Sequence, residues 1–141
     1  MSIERLHYTA NDIHPEMRVP INQLAEACRT AVFRHEGTDY MLQPFEGFRL
    51  PLRQKYLLTI TKTTKARPWE SAHQYGLAVD FACRSVDQHG RLAGWFWPEN
   101  EAIWNFLKLK ARAIEPLDVP ISWDRGHVEH HMWKRIKITL K

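Results

Sequence analysis

The sequence predicts a single α+β domain over residues 1–141, with a small, mostly antiparallel sheet and about three helices. Three stretches carry apolar residues at helical spacing, and several shorter stretches have an extended pattern. Because the two kinds of stretch do not alternate regularly, the parallel sheet of an α/β protein is not expected. A length of 141 residues suits one domain that buries a core without disulfides.

The first helix is predicted over residues 21–34, where apolar side chains recur at helical spacing. Pro20 suits its first turn, and Gly37 is a plausible stop signal. Residues 1–19 show little periodicity, so an irregular or partly extended arm is expected before the helix.

Two further helices are predicted over residues 52–61 and 99–113, each with apolar residues along one side. The polar, basic segment 62–70 contains a proline and is expected to form a loop at the rim of the site. Extended patterns predict strands over residues 40–50, 77–83, 121–124 and 128–140.

The composition excludes several functional classes. The formal net charge is +4, but the basic residues are scattered, and the chain lacks the basic stripe with interleaved aromatic residues typical of nucleic-acid binding. No run reaches the roughly 18 apolar residues of a membrane span. The N-terminus lacks the pattern of a secretory signal peptide. Cys28 and Cys83 are expected to be buried thiols of a protein made in a reducing compartment.

The segment Ser71–Ala82 carries the chemistry around which the chain is organised. It places His73 and Asp80 seven positions apart, with Gly76 between them and a strand-like run around the aspartate. Gly76 permits a turn that other residues resist, so the chain returns with Asp80 beside His73. Alternation along the strand leaves Asp80 on a face of small residues, in a cleft. Imidazole and carboxylate groups are both zinc ligands.

A second segment, residues 123–131, contains the remaining candidates. His127 would complete three protein ligands, the number found at catalytic zinc sites, which keep a further position for water. Periodicity alone does not choose this histidine, because His127 and His131 share one face of a strand and His130 lies on the other.

Together the two segments form the pattern Ser-x-His-x2-Gly-x-Ala-x-Asp followed by Asp-x-x-His. This pattern resembles the zinc peptidase family of D-alanyl-D-alanine carboxypeptidases and L-alanyl-D-glutamate endopeptidases, which includes several phage endolysins. The resemblance runs from about Gly47 to His127, and the order of elements extends it over nearly the whole chain. It implies an α+β fold of the hedgehog/D-alanyl-D-alanine peptidase type, with zinc held by His73, Asp80 and His127.

The same resemblance implies roles for three more residues. Asp124 matches the catalytic base, Arg49 matches an arginine that faces the active site, and Ser71 matches a substrate-contacting serine. Arg49 would hold a substrate carboxylate or the developing oxyanion. Without these roles, Asp124 would be a turn residue, Arg49 would pair with Glu46 on the surface, and Ser71 would cap a loop.

The roles of some residues near the pattern are not decided by the sequence. Glu129 and His131 are both candidates for a hydrogen bond that orients a metal ligand, and the sequence does not choose between them. Two residues depart from the usual pattern, since Phe48 replaces a tyrosine and Gly126 stands where many members have proline.

The resemblance implies a zinc metallopeptidase that hydrolyses peptide bonds in peptidoglycan stem peptides, as a carboxypeptidase or an endopeptidase. Without a signal peptide, a phage or prophage endolysin is expected, made in the cytoplasm, monomeric, and acting on the wall after release. The alternative is a non-catalytic, zinc-stabilised binding or phage structural module of the same fold. Such a module has no need of a carboxylate at Asp124.

Overall fold

The computed structural model describes residues 4–139. Helices packed against a small antiparallel sheet form an α+β fold, which confirms the predicted fold class. The α-helices are α1 (Pro15–Arg29), α2 (Pro51–Thr59), α3 (Glu101–Arg112) and α4 (Trp133–Thr139). The strands are β1 (Phe33–His35), β2 (Thr38–Glu46), β3 (Ala78–Val86), β4 (Leu92–Phe96), β5 (Leu117–Asp118) and β6 (His127–His130). Short 3-10 helices occupy Ala10–Asp12 and Ala72–Tyr75.

Strand β3 is the centre of the sheet. The strand order is β1-β2-β3-β6-β5, and β4 also pairs with β3. On one edge β3 pairs with β2 along most of its length, whereas on the other edge it pairs first with β6 and then with β4. In this register Asp80 lies opposite both Glu46 and His127. Three adjacent strands therefore bring ionisable side chains to one line across the sheet.

Helix α1 begins earlier than the sequence predicts. It starts at Pro15, so the expectation of an irregular arm over residues 1–19 is wrong for its last part, and Pro20 lies inside the helix rather than in its first turn. Met17 continues the buried stripe of the helix and is completely buried. That burial contributes roughly 1.5–3 kcal/mol, which offsets the single helical hydrogen bond lost at Pro20.

The same helix also ends earlier than predicted. It stops at Arg29, and residues 33–35 form β1. Gly37 is not a helix stop but lies in the turn between β1 and β2, with φ of 81°.

The last predicted strands are also wrong. Residues 121–124 form a turn, closed by a hydrogen bond from the Asp124 N–H to the Ile121 carbonyl, and the neighbouring strand β5 lies earlier in the chain. The predicted strand over 128–140 ends at His130, and α4 follows it. Trp133 is buried while Ile136 packs against the core, a spacing that suits a helix. Leu140 lies outside the described residues.

The core lies between the sheet and the helices. Helix α1 packs on β2 and α3, and the apolar residues of β3 from Ala78 to Cys83 are completely buried. Cys28 and Cys83 are buried and not bonded to each other. Among residues 4–139, no helix has both the length and the apolar character needed to cross a membrane.

Candidate metal centre

A short 3-10 helix and the turn after it set the position of His73. The Ser71 side-chain oxygen accepts a hydrogen bond from the His73 N–H at 3.3 Å and so caps the helix. Gly76 ends the helix with φ of 69°, and a Cβ there would lie 2.6 Å from a backbone nitrogen at the start of α1. The chain therefore turns tightly at Gly76 and enters β3, which carries Asp80.

The pairing of β3 with β6 then adds the third predicted ligand. Asp80 lies opposite His127 in the register of the two strands. Asp80 Oδ1 is 3.1 Å from His73 Nε2 and 3.2 Å from His127 Nδ1. Ligand atoms of the three residues all lie within 4.8 Å of one another. The structure thus brings the three residues together, with an imidazole on each side of a carboxylate.

The other nitrogen of each imidazole already has a partner. His73 Nδ1 lies 2.7 Å from the Gly47 carbonyl oxygen, which only accepts, so this nitrogen carries a proton and donates it. His127 Nε2 lies 2.9 Å from Glu129 Oε1. Such partners are typical of metal-ligating histidines, because they fix the tautomer and leave the opposite lone pair for the metal. Of the two candidates for this contact, Glu129 makes it.

The neighbouring histidines lie apart from this cluster. The rings of His130 and His131 stack on each other, with centroids 5.6 Å apart. His130 Nε2 faces Glu16 at 3.8 Å, and His131 Nε2 faces Glu115 at 3.5 Å. Alternation had suggested that His131 shares a strand face with His127. Because the strand ends at His130, it does not.

The cluster has the electrostatics of a cation site. Since His73 donates through Nδ1, its Nε2 lone pair faces the Asp80 oxygen, and a cation or proton between the two atoms is needed to make this contact favourable. The surrounding carboxylates outnumber the guanidinium groups by two, so a dication balances their charge. The carboxylates are Glu46, Asp80, Asp124 and Glu129, and the guanidinium groups are those of Arg49 and Arg53. Glu70 and Lys65 also line the cleft, and their opposite charges cancel in this count.

The pKa values of the metal-free site agree with this reading. Although burial opposes its charge, hydrogen bonds with Asp80 and Glu129 raise the pKa of His127 to about 10. Burial also opposes the charge of Asp80, yet the interactions with His73, His127 and Arg49 hold its pKa well below the usual range. A metal ion that binds here would displace the His127 proton.

Arg49 lies beside Asp80 and is 5% exposed. Its Nη2 donates to Asp80 Oδ2 at 3.0 Å and to Glu46 Oε1 at 3.1 Å, while Nη1 donates to Gln54 Oε1 at 2.9 Å. These contacts hold the second Asp80 oxygen and leave Oδ1 to face the imidazoles. The ion pair with Glu46 is therefore present but buried, and the contact of Arg49 with substrate stays a prediction.

Glu46 is a buried structural residue, whereas the sequence analysis considered it only as a surface partner of Arg49. Its carboxylate is buried and also accepts from Arg53 Nε at 2.6 Å. A register shift in β2 between Pro44 and Glu46 accompanies its pairing opposite Asp80. The available signal was an acidic residue directly before Gly47, but its pairing with a distant strand cannot be read from local pattern.

Asp124 lies in the turn before β6, where its carbonyl accepts a hydrogen bond from the His127 N–H at 3.2 Å. Its side chain lines the same cleft as the three clustered residues but is not one of the cluster. Burial, together with the nearby Asp80 charge, raises the pKa of Asp124 to about 6, although His127 and Arg49 act in the opposite direction. A carboxyl group with this pKa is suited to accept and return a proton near neutrality.

The cluster opens into a cleft of about 580 Å³, a volume within the range of about 300–1,000 Å³ typical of small-molecule sites. Ser71 also lines this cleft. The loop-capping contact of Ser71 is present, and its contact with substrate stays a prediction.

The sequence matches no protein-family model and no curated protein. Among solved structures, the chain is similar to the Serratia marcescens L-Ala D-Glu endopeptidase ChiX, with a TM-score of 0.52 and 19% sequence identity. The similarity covers 95% of this chain and 96% of that chain. At this identity the likeness shows a shared fold, and the fold is of the kind that the sequence resemblance implied.

Proposed function

We propose that this chain is a zinc-dependent peptidase that hydrolyses peptide bonds in the stem peptides of bacterial peptidoglycan. The observation that carries the proposal is the cluster of His73, Asp80 and His127 in one cleft with Asp124. Two imidazoles and one carboxylate suit zinc, and three protein ligands leave a position for catalysis. The fold likeness to an L-Ala D-Glu endopeptidase supports the substrate class, because that linkage occurs in stem peptides.

A bound zinc ion would act as a Lewis acid and lower the pKa of a bound water to about 7. The chain's own residues supply orientation and proton transfer. Arg49 holds Asp80 so that one oxygen faces His73 and His127. Asp124 accepts a proton from the attacking water and passes it to the leaving amine. In the metal-free protein, burial and the Asp80 charge raise the pKa of Asp124 to about 6.

Two further residues have proposed contacts with substrate. Arg49 and Ser71 both line the cleft. The Arg49 guanidinium, next to Asp80, would stabilise negative charge that develops on the carbonyl oxygen. Ser71 would contact the substrate backbone through its hydroxyl group.

We further propose that the protein is a monomeric phage or prophage endolysin that reaches the wall after release from the cytoplasm. The mildly basic composition, with a formal charge of +4, suits an anionic wall polymer. A zinc-stabilised module without turnover is the alternative, and a half-buried carboxylate with a raised pKa at Asp124 favours the enzyme over it.

Digestion of purified peptidoglycan tests this function. The metal-free protein, the zinc-reconstituted protein and a chelator-treated sample are incubated with the wall, and new amino groups are measured over time. New amino groups are expected with zinc and should be absent with chelator. Mass spectrometry of the products then identifies the bond. Equal release in all three samples would contradict the zinc mechanism, and zinc binding without any release would favour the non-catalytic module.

A further inference from the structure

Two exposed tryptophans line the cleft, and neither belongs to the core. Trp97 is 51% exposed and Trp123 is 49% exposed, and both line the cleft that contains the metal cluster. An indole left half in water forgoes the stabilisation that its burial would give. Exposed aromatic residues in a concave site commonly mark ligand contact.

Each of the two rings contacts a neighbouring side chain. The Trp97 ring meets the Phe45 ring edge to face, with centroids 4.9 Å apart and an angle of 86°. Phe45 also contacts Trp95 in the same way at 4.9 Å. The Lys65 ammonium lies 5.0 Å from the centre of the Trp123 ring, a cation–π contact. Ring packing therefore positions the Trp97 indole before a ligand arrives, so little of its side-chain entropy remains to be lost on binding.

The chemistry of the proposed substrate decides which part of it these rings fit. The alanine methyl groups and carboxylates of a stem peptide present little apolar surface to an indole. The sugar at the base of the stem is different, because a pyranose ring has a broad face of C–H groups with polar groups at its edge. The cleft, at about 580 Å³, has room for more than the two amino acids that flank one peptide bond.

We propose that Trp97 and Trp123 form a subsite for an N-acetylated amino sugar of the glycan strand that carries the stem peptide. This inference rests on the proposed function and deepens it, since the subsite would make the enzyme prefer stems still attached to sugar. Lys65 contributes a cation at the rim beside Trp123, where it complements the anionic groups of the stem. Sugar and peptide then occupy one continuous cleft.

The test compares two soluble substrates that share one stem peptide, one free and one attached to its amino sugar. For the wild-type protein, kcat/KM is expected to be higher on the sugar-linked peptide. Trp97→Ala and Trp123→Ala should each reduce that preference about two- to tenfold, the range of a single ring contact. Activity on the free peptide should stay within about twofold of wild type.

Trp69→Ala is the matched control. Trp69 is similarly exposed, at 54%, but it is not among the residues that line the cleft, and its ring contacts Tyr75 instead. This variant is expected to keep the full preference. Should an alanine variant fail to fold, Trp97→Phe and Trp123→Phe carry the test, because a smaller ring should retain an intermediate preference.

The sugar subsite is overturned if folded variants lose kcat/KM equally on both substrates. It is also overturned if the wild-type protein does not prefer the sugar-linked peptide. A second measurement separates this failure from failure of the proposed reaction. Tryptophan fluorescence is titrated with the peptide-free amino-sugar disaccharide, which needs neither zinc nor turnover. Saturable binding that weakens in Trp97→Ala and Trp123→Ala supports the subsite even if no peptide is cut. If the disaccharide does not bind and the peptidase activity does not depend on the sugar, the proposed reaction stands and the sugar subsite is refuted.

Discussion

Replacing Asp124 by asparagine is expected to change stability and activity in opposite directions. Burial raises the pKa of this carboxyl from 3.8 to about 6, so its charged form is disfavoured in the folded, metal-free protein. The stabilising effect of a raised pKa is present below pH of about 4 and is lost as pH rises through about 6. A shift of about two pKa units corresponds to roughly 3 kcal/mol of cost at neutral pH.

Asp124→Asn removes that cost because an amide does not ionise. The metal-free variant should be more stable than wild type by about 2–3 kcal/mol at pH 7.5, and the difference should shrink towards pH 4. Urea unfolding at several pH values measures this. Asp118→Asn is the control of opposite sign. Burial raises the pKa of Asp118, but the hydrogen bonds from Arg112 and the Val119 N–H, together with nearby positive charge, outweigh it and hold the pKa below its usual value.

The same variant should lose activity while keeping its metal. Positioned acid–base groups contribute about 10²–10⁴-fold in rate, so a loss of that size is expected for Asp124→Asn and for Asp124→Ala. Zinc content should stay near one per chain, because Asp124 lies outside the ligand cluster. A metal-free variant would make the carboxylate a ligand and refute this division of roles. A metal-loaded, fully active variant would place the base elsewhere, with Glu129 the next residue to test.

Three further substitutions have expected outcomes. His127→Ala should lose zinc and activity together, as measured by metal content beside rate, whereas retained zinc would remove this residue from the ligand set. Glu129→Ala should weaken zinc binding about 10- to 100-fold in a chelator competition, because it frees the His127 ring; unchanged affinity would contradict the orienting role. Gly126→Ala should destabilise the protein by about 1–3 kcal/mol in urea, since its Cβ would lie 2.2 Å from the Phe81 carbonyl oxygen. Gly94→Ala, with nothing within 4 Å of the new Cβ, is its near-neutral control.

The part of the site that sequence alone predicts is the part formed by local chain geometry. The spacing from His73 to Asp80, with Gly76 between them, contains the turn and the strand that bring the two side chains together. The placement of Asp80 on the cleft side of β3 followed from alternation of apolar residues. The position of His127 beside Asp80 was predicted only from the resemblance to a known family, because the local sequence does not indicate which distant strand pairs with β3.

The parts that sequence reasoning missed depend on contacts between distant segments. Glu46 becomes a buried partner of Arg49 only through the pairing of β2 with β3. Helix α1 extends through Pro20 because Met17 is buried in the core, and local helix propensity does not predict that burial. At the C-terminal end, apolar residues at every second position suit a strand, but burial of Trp133 selects a helix.

Diffraction at the zinc absorption edge from crystals of the zinc-loaded protein tests the central claim most directly. One anomalous peak per chain is expected, at about 2.0–2.2 Å from His73 Nε2, an Asp80 oxygen and His127 Nδ1, with one position open to the cleft. Asp124 should lie outside bonding distance of that peak. A peak held by His130 and His131, or no peak at the cluster in crystals that contain zinc, would contradict the account.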